Sequence, residues 1–137
     1  NFVSTMLRLG KERDELNVVS DQMGSPTYAT DLAGAILEII KNKEFREEDQ
    51  TTQIYHYSNE GEISWYEFAK EIFKIAKIDC KVNPITTQQY PTPAKRPRNT
   101  IMSADKIAEI FSVNIPDWKY SLNAYIEFNQ IINKFIL

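Results

Sequence analysis

Residues 16–40 read LNVVSDQMGSPTYATDLAGAILEII, and the hydrophobic pattern of this stretch changes its period once. It opens with the β-prone run Leu16-Asn17-Val18-Val19, which is typical of a short strand. A glycine and a proline then interrupt the pattern, so residues 21–27 are predicted to form a loop. From Leu32 to Ile40 apolar residues recur at the helical spacing i, i+3, i+4, i+7 and i+8. A strand, a loop and an amphipathic helix in succession predict an α/β fold.

Thr27 is the expected cap of this helix, and Asp31 falls in its first turn, where the helix dipole favours an anion. The same kind of pattern predicts the remaining elements, with helices in the majority and a few short strands between them. The predicted helices run from Phe2 to near Gly10 with Asn1 as cap, from the capping box Ser64-Trp65-Tyr66-Glu67 through Ala76, from Ser103 through Phe111, and from near Asp117. The predicted strands are Ile54–Tyr57 and Lys81–Ile85, and the predicted loops are 42–53 and 86–100. Core positions are expected for Trp65, Tyr66, Phe68, Phe73 and Trp118.

The composition fits one domain, or one lobe of a larger enzyme, because the chain has 137 residues and 42% of them are hydrophobic. The net charge of −3 argues against a nucleic-acid partner, which usually requires a basic excess. No apolar run approaches the roughly 20 residues of a membrane span. Cys80 is the only cysteine, so no intrachain disulfide is possible and no Cys/His metal cluster is expected. These features, with no visible signal peptide, predict a cytoplasmic protein.

A nicotinamide cofactor is not expected to bind this chain. A dinucleotide fold places the motif G-x-G-x-x-G between a strand and a helix, because its glycines let the backbone approach the pyrophosphate. The chain has only four glycines, and none of them are arranged in this way.

The loop around Lys95, Arg96 and Arg98 is the first candidate site. It holds three cations and no acid between Pro91 and Ser103, in a chain that is acidic overall. Its prolines restrict the backbone, and the planar guanidinium of arginine donates two parallel hydrogen bonds to a phosphate. The loop could therefore clamp a diphosphate. Composition alone favours an ordinary solvated basic loop, because short basic runs are common on surfaces.

The segment from Gln22 to Thr27 is the second candidate site. Its amide, its small residues such as Gly24 and its exposed backbone precede a helix N-terminus, where an anion or a sugar hydroxyl could bind. Taken alone, the segment is more simply explained as a capped turn. His56, the only histidine, is interpreted as a structural strand residue rather than a catalytic base.

Several stretches together resemble one known family. They include the N-terminal helix, the strand-loop-helix quoted above and the proline-rich basic loop, and they follow one another in order from Asn1 to about Tyr125. The quoted stretches are Asn1–Leu9, Val18–Tyr28, Asp31–Ala33, Ile54–Ser58, Gly61-Glu62, Ser64–Ala69, Pro84–Thr87, Tyr90–Pro97 and Pro116–Trp118. The chain is similar in these stretches to the C-terminal part of the dTDP-4-dehydrorhamnose reductases, members of the extended short-chain dehydrogenase/reductase superfamily.

The resemblance implies that residues 1–137 are a helix-rich C-terminal substrate-binding region. The partners it implies are a dTDP-sugar and an N-terminal Rossmann half, which lies outside this chain and binds NADPH. The implied activity is the reduction of a 4-keto sugar to dTDP-L-rhamnose, a precursor of bacterial surface polysaccharide. The Tyr-x-x-x-Lys pair of the family lies upstream, so no catalytic residue is assigned here. Arg96 becomes the leading diphosphate ligand ahead of Lys95 and Arg98, and Gln22, Gly24 and Thr27 are expected near the sugar or the nucleotide.

Two other functions stay open at this point. One is a non-catalytic binding or regulatory relative of the same fold, and the other is an epimerase or dehydratase of another nucleotide sugar. The upstream residues would separate the first from a reductase, while the Gln22–Thr27 motif argues mildly against the second. A homodimer is compatible with the sequence, which does not determine the oligomeric state.

Overall fold

The computed structural model describes residues 1–42 and 52–136, with the backbone alone from residue 133 onward. The helices and strands alternate in an α/β arrangement, as predicted. The helices are α1 (Phe2–Glu12), α2 (Ala29–Lys41), α3 (Trp65–Ala76), α4 (Asp105–Phe111) and α5 (Trp118–Ile136), with a short 3₁₀ helix at Thr87–Gln89. The strands are β1 (Glu15–Val19), β2 (Met23–Gly24), β3 (Ile63–Ser64) and β4 (Lys81–Ile85). Most of the predicted loop from Asn42 to Gln53 lies outside the described residues.

Strands β1 and β4 pair in parallel, with Glu15 opposite Lys81 and Val19 opposite Ile85. The side chains of β1 alternate between the two faces of this small sheet, as the two-residue period of a strand requires. Leu16 and Val18 are buried, while their neighbours in the strand are more exposed. One face of the sheet therefore belongs to the core, and the other is left accessible.

The main core lies where α1, α3 and α5 meet the buried face of this sheet. Ile72 and Ala69 of α3 are completely buried, and Trp118 packs its ring edge-on against Phe68 with 5.6 Å between ring centroids. This confirms Phe68 and Trp118 as core anchors. Trp65 does not join them, because it keeps 44% of its surface exposed and contacts the ring of Phe2 at the edge of the cluster.

A second, smaller cluster joins α2 to α4. Its buried members are Ala35, Ile107, Phe111 and Val113, and partly buried Tyr55 and Tyr57 pack against them. The segment Ile54–Tyr57 was predicted to be a strand, and this prediction is wrong for the described chain. The segment contributes its tyrosines to the cluster, but no described strand pairs with it, and a strand requires a hydrogen-bonded neighbour. His56 is exposed in this segment.

Helix α3 begins at the Ser64 cap as predicted, but only one half of the predicted capping box forms, because the Glu67 carboxylate bonds the Ser64 hydroxyl instead of the Ser64 backbone N–H. The Ser64 hydroxyl accepts a 3.1 Å hydrogen bond from the Glu67 backbone N–H and lies 3.4 Å from the Glu67 carboxylate. The helix ends after Ala76, where Lys77 adopts a left-handed conformation with φ of 54°. Asn1 also caps α1 as predicted, since its side chain accepts from the Ser4 N–H.

Two predicted caps are wrong. Thr27 does not cap α2, because the helix begins one residue later, with Tyr28 as N-cap and without a side-chain cap hydrogen bond. Ser103 is not the N-cap of α4 either, since Ala104 holds that position. Ser103 still satisfies one backbone group at this helix end, because its hydroxyl accepts from the Asp105 N–H.

Removing the Ser64 hydroxyl should therefore destabilise the fold. Ser64 is 3% exposed and starts the helix that carries the centre of the core. We expect Ser64→Ala to lower the free energy of unfolding by about 1 kcal/mol, the usual effect of losing a helix cap. The measurement is denaturant unfolding followed by circular dichroism. Thr30→Ala, at an exposed position of α2, is the control and should not lower it. An unchanged midpoint for Ser64→Ala would contradict the assigned helix start.

Candidate functional site

The parallel pairing of β1 and β4 brings two chain segments together at one end of the sheet. Asp21 and Gln22 follow β1, and Thr87 follows β4. The Asp21 carboxylate accepts from the Thr87 hydroxyl at 2.7 Å and from the Thr87 backbone N–H at 2.8 Å. The Gln22 side-chain amide donates to the same hydroxyl at 3.1 Å. Polar groups therefore meet at the carboxyl ends of parallel strands, the usual ligand-binding edge of such sheets.

The two candidate segments of the sequence are joined directly by backbone hydrogen bonds. The Met23 N–H donates to the Arg98 carbonyl at 2.8 Å, and the Thr100 N–H donates to the Met23 carbonyl at 3.0 Å. Residues 21–27 are therefore not only a loop, since β2 at Met23–Gly24 pairs with β3 on its other side. Gly24 is required here, because a Cβ atom would lie 2.8 Å from the Thr100 hydroxyl.

Gln22 and Arg96 line the same groove. This groove has a volume of about 1030 Å³ and runs along β1 between α1 and the proline-rich loop. Its wall also includes Thr5 and Tyr90. An amide and a guanidinium thus share one opening that is large enough for a substantial ligand.

The other predicted site residues lie outside the lining of this groove. Gly24 lines a small neighbouring cavity, and Thr27 borders a separate pocket of about 320 Å³. Lys95 and Arg98 are exposed beside Arg96. Within residues 1–42 and 52–136, none of the three cations forms an ion pair with a carboxylate. Their positive charge is therefore available to an anion.

The electrostatics of the junction are set by Asp21. The hydrogen bond from the Thr87 hydroxyl holds the pKa of the Asp21 carboxyl below its ordinary value. The Thr87 N–H and the positive charge of Arg98 add to this effect, while burial opposes it without reversing it. Asp21 is therefore a carboxylate at neutral pH and can only accept hydrogen bonds.

A buried polar network fixes the far end of the Gln22–Thr27 segment. Asn59 is 1% exposed, and the two N–H groups of its amide are shared among the Asp31 carboxylate at 2.6 Å, the Pro116 carbonyl and the Ser121 hydroxyl. Its own carbonyl oxygen accepts from the backbone N–H of Tyr28, the N-cap residue of α2, at 2.7 Å. One side chain thus connects the start of α2 to α5.

Sequence reasoning missed Asn59 and Thr87. Asn59 follows the run that was predicted to be a strand, and its partners are distant in the chain. Thr87 had a usable signal, because it lies just after the predicted strand Lys81–Ile85. Polar residues at that position of a parallel strand are expected to face a ligand edge.

The described residues contain neither a metal-binding cluster nor an activated thiol. In the part of the chain that the structure describes, no three His, Cys, Asp or Glu side chains are grouped to hold a metal ion. Cys80 is a buried free thiol whose pKa is raised by burial, which disfavours the nucleophilic thiolate. Across these same residues, no helix has both the length and the apolar character to span a membrane.

The fold and the groove define the class of protein, which is the substrate-binding portion of an extended short-chain dehydrogenase/reductase. The structure superposes on a dTDP-4-dehydrorhamnose reductase from Clostridium acetobutylicum with a TM-score of 0.85 and 42% identity, covering 95% of this chain and 44% of that one. A Bacillus anthracis dTDP-4-dehydrorhamnose reductase in complex with NADP gives a TM-score of 0.79 and 40% identity over 93% of this chain and 42% of that one. The RmlD substrate binding domain family matches residues 1–131, and the chain belongs to this family.

Sequence comparison gives the same result. The dTDP-4-dehydrorhamnose reductase of Aggregatibacter actinomycetemcomitans is 43% identical over 136 residues, covering 93% of this chain and 46% of the relative. The chain thus spans less than half the length of these relatives. A UDP-glucuronic acid 4-epimerase from Bacillus cereus shares the fold with a TM-score of 0.66, but its 15% identity is evidence for the fold alone.

Removing the Asn59 side chain should destabilise the protein strongly. Asn59→Ala leaves the Tyr28 N–H, the Pro116 carbonyl and the Asp31 carboxylate without this partner, beside a cavity where an almost completely buried side chain stood. We expect the free energy of unfolding to fall by roughly 2–4 kcal/mol, because unsatisfied buried polar groups retain their desolvation cost. Asn123→Ala is the control, since Asn123 is exposed and bonds only within α5. Equal unfolding midpoints for the two variants would contradict a stabilising role for the network.

Proposed function

We propose that this chain is the sugar-nucleotide-binding part of an NADPH-dependent dTDP-4-dehydrorhamnose reductase. The observation that carries the proposal is the groove shared by Gln22 and Arg96, in a chain of the RmlD substrate binding domain family. The relatives that are 38–43% identical over most of this chain bear the name of this activity. The product of the complete enzyme is dTDP-L-rhamnose.

Arg96 is the proposed ligand of the substrate diphosphate. Its guanidinium is exposed, lines the groove and has no carboxylate partner among the described residues. A planar guanidinium can donate two parallel hydrogen bonds to a phosphate, which a lysine cannot do. Lys95 and Arg98 add positive charge next to it. Gln22 contacts the nucleotide or the sugar, and Gly24 and Thr27 shape the cavities next to the groove.

NADPH does not fit this chain and belongs to a second, Rossmann-type half of the same enzyme. The four glycines of the chain form no G-x-G-x-x-G turn, so the backbone offers no place for a dinucleotide pyrophosphate. When bound to its own half, the cofactor supplies the hydride. The role of the residues described here is to hold the sugar nucleotide in position.

The surface that contacts this half includes the exposed apolar side of α2. Ile36, Leu37 and Ile40 lie on neighbouring turns of the helix, and each exposes about half of its side chain. We call these three residues the α2 face. Nearby, Ile54 is 70% exposed in the segment that has a strand-like sequence but no described strand partner. Both features are explained if the cofactor-binding half covers them. In the relatives, the part outside the region matched by this chain makes up more than half of the length.

The diphosphate role is tested with Arg96→Ala in the complete reductase, meaning this chain joined to its cofactor-binding half. We expect the KM for dTDP-4-dehydrorhamnose to rise roughly 10- to 150-fold, the equivalent of about 1.5–3 kcal/mol for a charge-assisted contact. NADPH affinity should hardly change. Steady-state oxidation of NADPH measures both effects.

Arg8→Ala is the matched control, because Arg8 is an exposed arginine of α1 that pairs with Glu12. It should leave the KM unchanged. If Arg96→Ala also leaves the KM unchanged, the basic loop is only a solvated surface. If the complete protein oxidises no NADPH with this substrate, the proposed activity itself is wrong.

The contact surface is tested with Leu37→Lys in the complete reductase. A lysine in a covered apolar interface loses its hydration, so we expect the free energy of unfolding to fall by about 1–3 kcal/mol. Thermal unfolding measures this change. Phe128→Lys in α5 is the control, because Phe128 is as exposed as Leu37 but belongs to a different helix. If the two variants unfold at the same temperature, the α2 face is not a contact surface.

A further inference from the structure

The hydrogen bonds between Asp21, Thr87 and Gln22 have a fixed direction. Asp21 can only accept, since it is ionised, so the Thr87 hydroxyl must give its single proton to the Asp21 carboxylate 2.7 Å away. The same hydroxyl then has only lone pairs left for Gln22. A Gln22 oxygen placed there would face another oxygen without a proton between them. The Gln22 group that faces Thr87 at 3.1 Å must therefore be the NH₂ group.

This direction determines which end of the Gln22 amide is available to a ligand. The nitrogen is turned toward Thr87, so the carbonyl oxygen is turned away from it. Among the hydrogen bonds of residues 1–42 and 52–136, none is accepted by the Gln22 side-chain oxygen. Gln22 also lines the groove that Arg96 shares. The groove thus combines a cationic donor with a neutral acceptor.

We propose that Asp21 and Thr87 are positioning residues that hold the Gln22 amide oxygen toward the groove, where it accepts a hydrogen bond from a donor group of the sugar nucleotide. This inference rests on the proposed function and specifies the chemistry of the ligand. The donor is either the imide N–H of the pyrimidine base or a hydroxyl of the hexose. Thr87 acts through Gln22 and is not itself a contact of the ligand.

The chemistry also predicts discrimination between bases. If the donor is the imide N–H, a cytosine nucleotide is rejected, because its ring nitrogen at that position is an acceptor. Two acceptors would then face each other without a proton. Loss of one partner of a polar contact in a binding site is usually more harmful than loss of an apolar contact, since the remaining group stays unsatisfied.

The test replaces Thr87 by Val in the complete reductase, which keeps the shape of the side chain but removes the hydroxyl. The Gln22 amide then loses its orientation, and we expect the KM for dTDP-4-dehydrorhamnose to rise about 3- to 10-fold with kcat unchanged. Thr87→Ser restores the hydroxyl and should return the KM to within about twofold of the original value. Thr30→Val, an exposed threonine of α2, is the control and should change neither parameter.

Two binding measurements identify the donor. The dissociation constants of dTDP and of N3-methyl-dTDP are measured by calorimetry for the original protein and for Thr87→Val. If the base donates, methylation weakens binding to the original protein several-fold and has little further effect in Thr87→Val. If a hydroxyl of the hexose donates, dTDP binds both proteins equally, because dTDP lacks the hexose. Only the KM for the dTDP-sugar then responds to the substitution.

The inference is overturned if the unsubstituted protein reduces dTDP-4-dehydrorhamnose normally and the Thr87→Val variant has the same KM and the same two dissociation constants. A rise in KM that Thr87→Ser fails to reverse also overturns it, because a general structural role would then explain the effect. Either outcome leaves the proposed activity intact. Failure of the original protein to bind dTDP at all overturns the proposed function instead.

Discussion

The parallel pairing of β1 with β4 is the constraint on which the rest of the site depends. Parallel strands place their carboxyl ends at the same edge, so the residues that follow each strand must meet. Here that geometry brings Asp21 and Gln22 to Thr87 across 65 or more positions of sequence. The alternation along β1 buries Leu16 and Val18 in the main core and turns Glu15 and Asn17 to the opposite, exposed face, and residues of both faces border the groove. A shift of the register by one residue would exchange these faces and remove both the core contacts and the groove.

The two ends of the Gln22–Thr27 segment are held by different physical means. At the first end, an ionised and accessible carboxylate takes two hydrogen bonds from Thr87, and water competes for both. At the second end, the Asn59 side chain, which is 1% exposed, satisfies several groups at the start of α2 and in α5. Buried networks of this kind specify one arrangement, because any alternative leaves a polar group without a partner. The segment is therefore anchored firmly near α2, while its Gln22 end depends on a more adjustable contact.

The chain has a well-filled main core and a less complete second cluster. Ile72 and Ile126 in the main core are almost completely buried, whereas α2 contributes only Ala35 fully to the second cluster and leaves three large aliphatic side chains half exposed. An amphipathic helix normally buries its apolar stripe. The wide apolar surface of α2 supports the proposed contact of this helix with the cofactor-binding half.

The sequence by itself determined the local structure, because local structure depends on neighbours in the chain. The period of the apolar residues predicted α2, the Ser64–Glu67 box predicted the start of α3, and the β-prone runs predicted β1 and β4. The same reasoning failed at Ile54–Tyr57, since a strand is defined by a partner that its own residues cannot show. It also named Arg96 and Gln22, first from the charge and composition of their loops and then from a resemblance, without the means to place them together. Only the tertiary structure decided that these two residues share a groove, that Asn59 bonds the backbone at the start of α2, and that Gln22 is hydrogen-bonded to Thr87. Each of these facts is a contact between residues far apart in sequence, and hydrogen-bond direction and burial exist only once those residues have met.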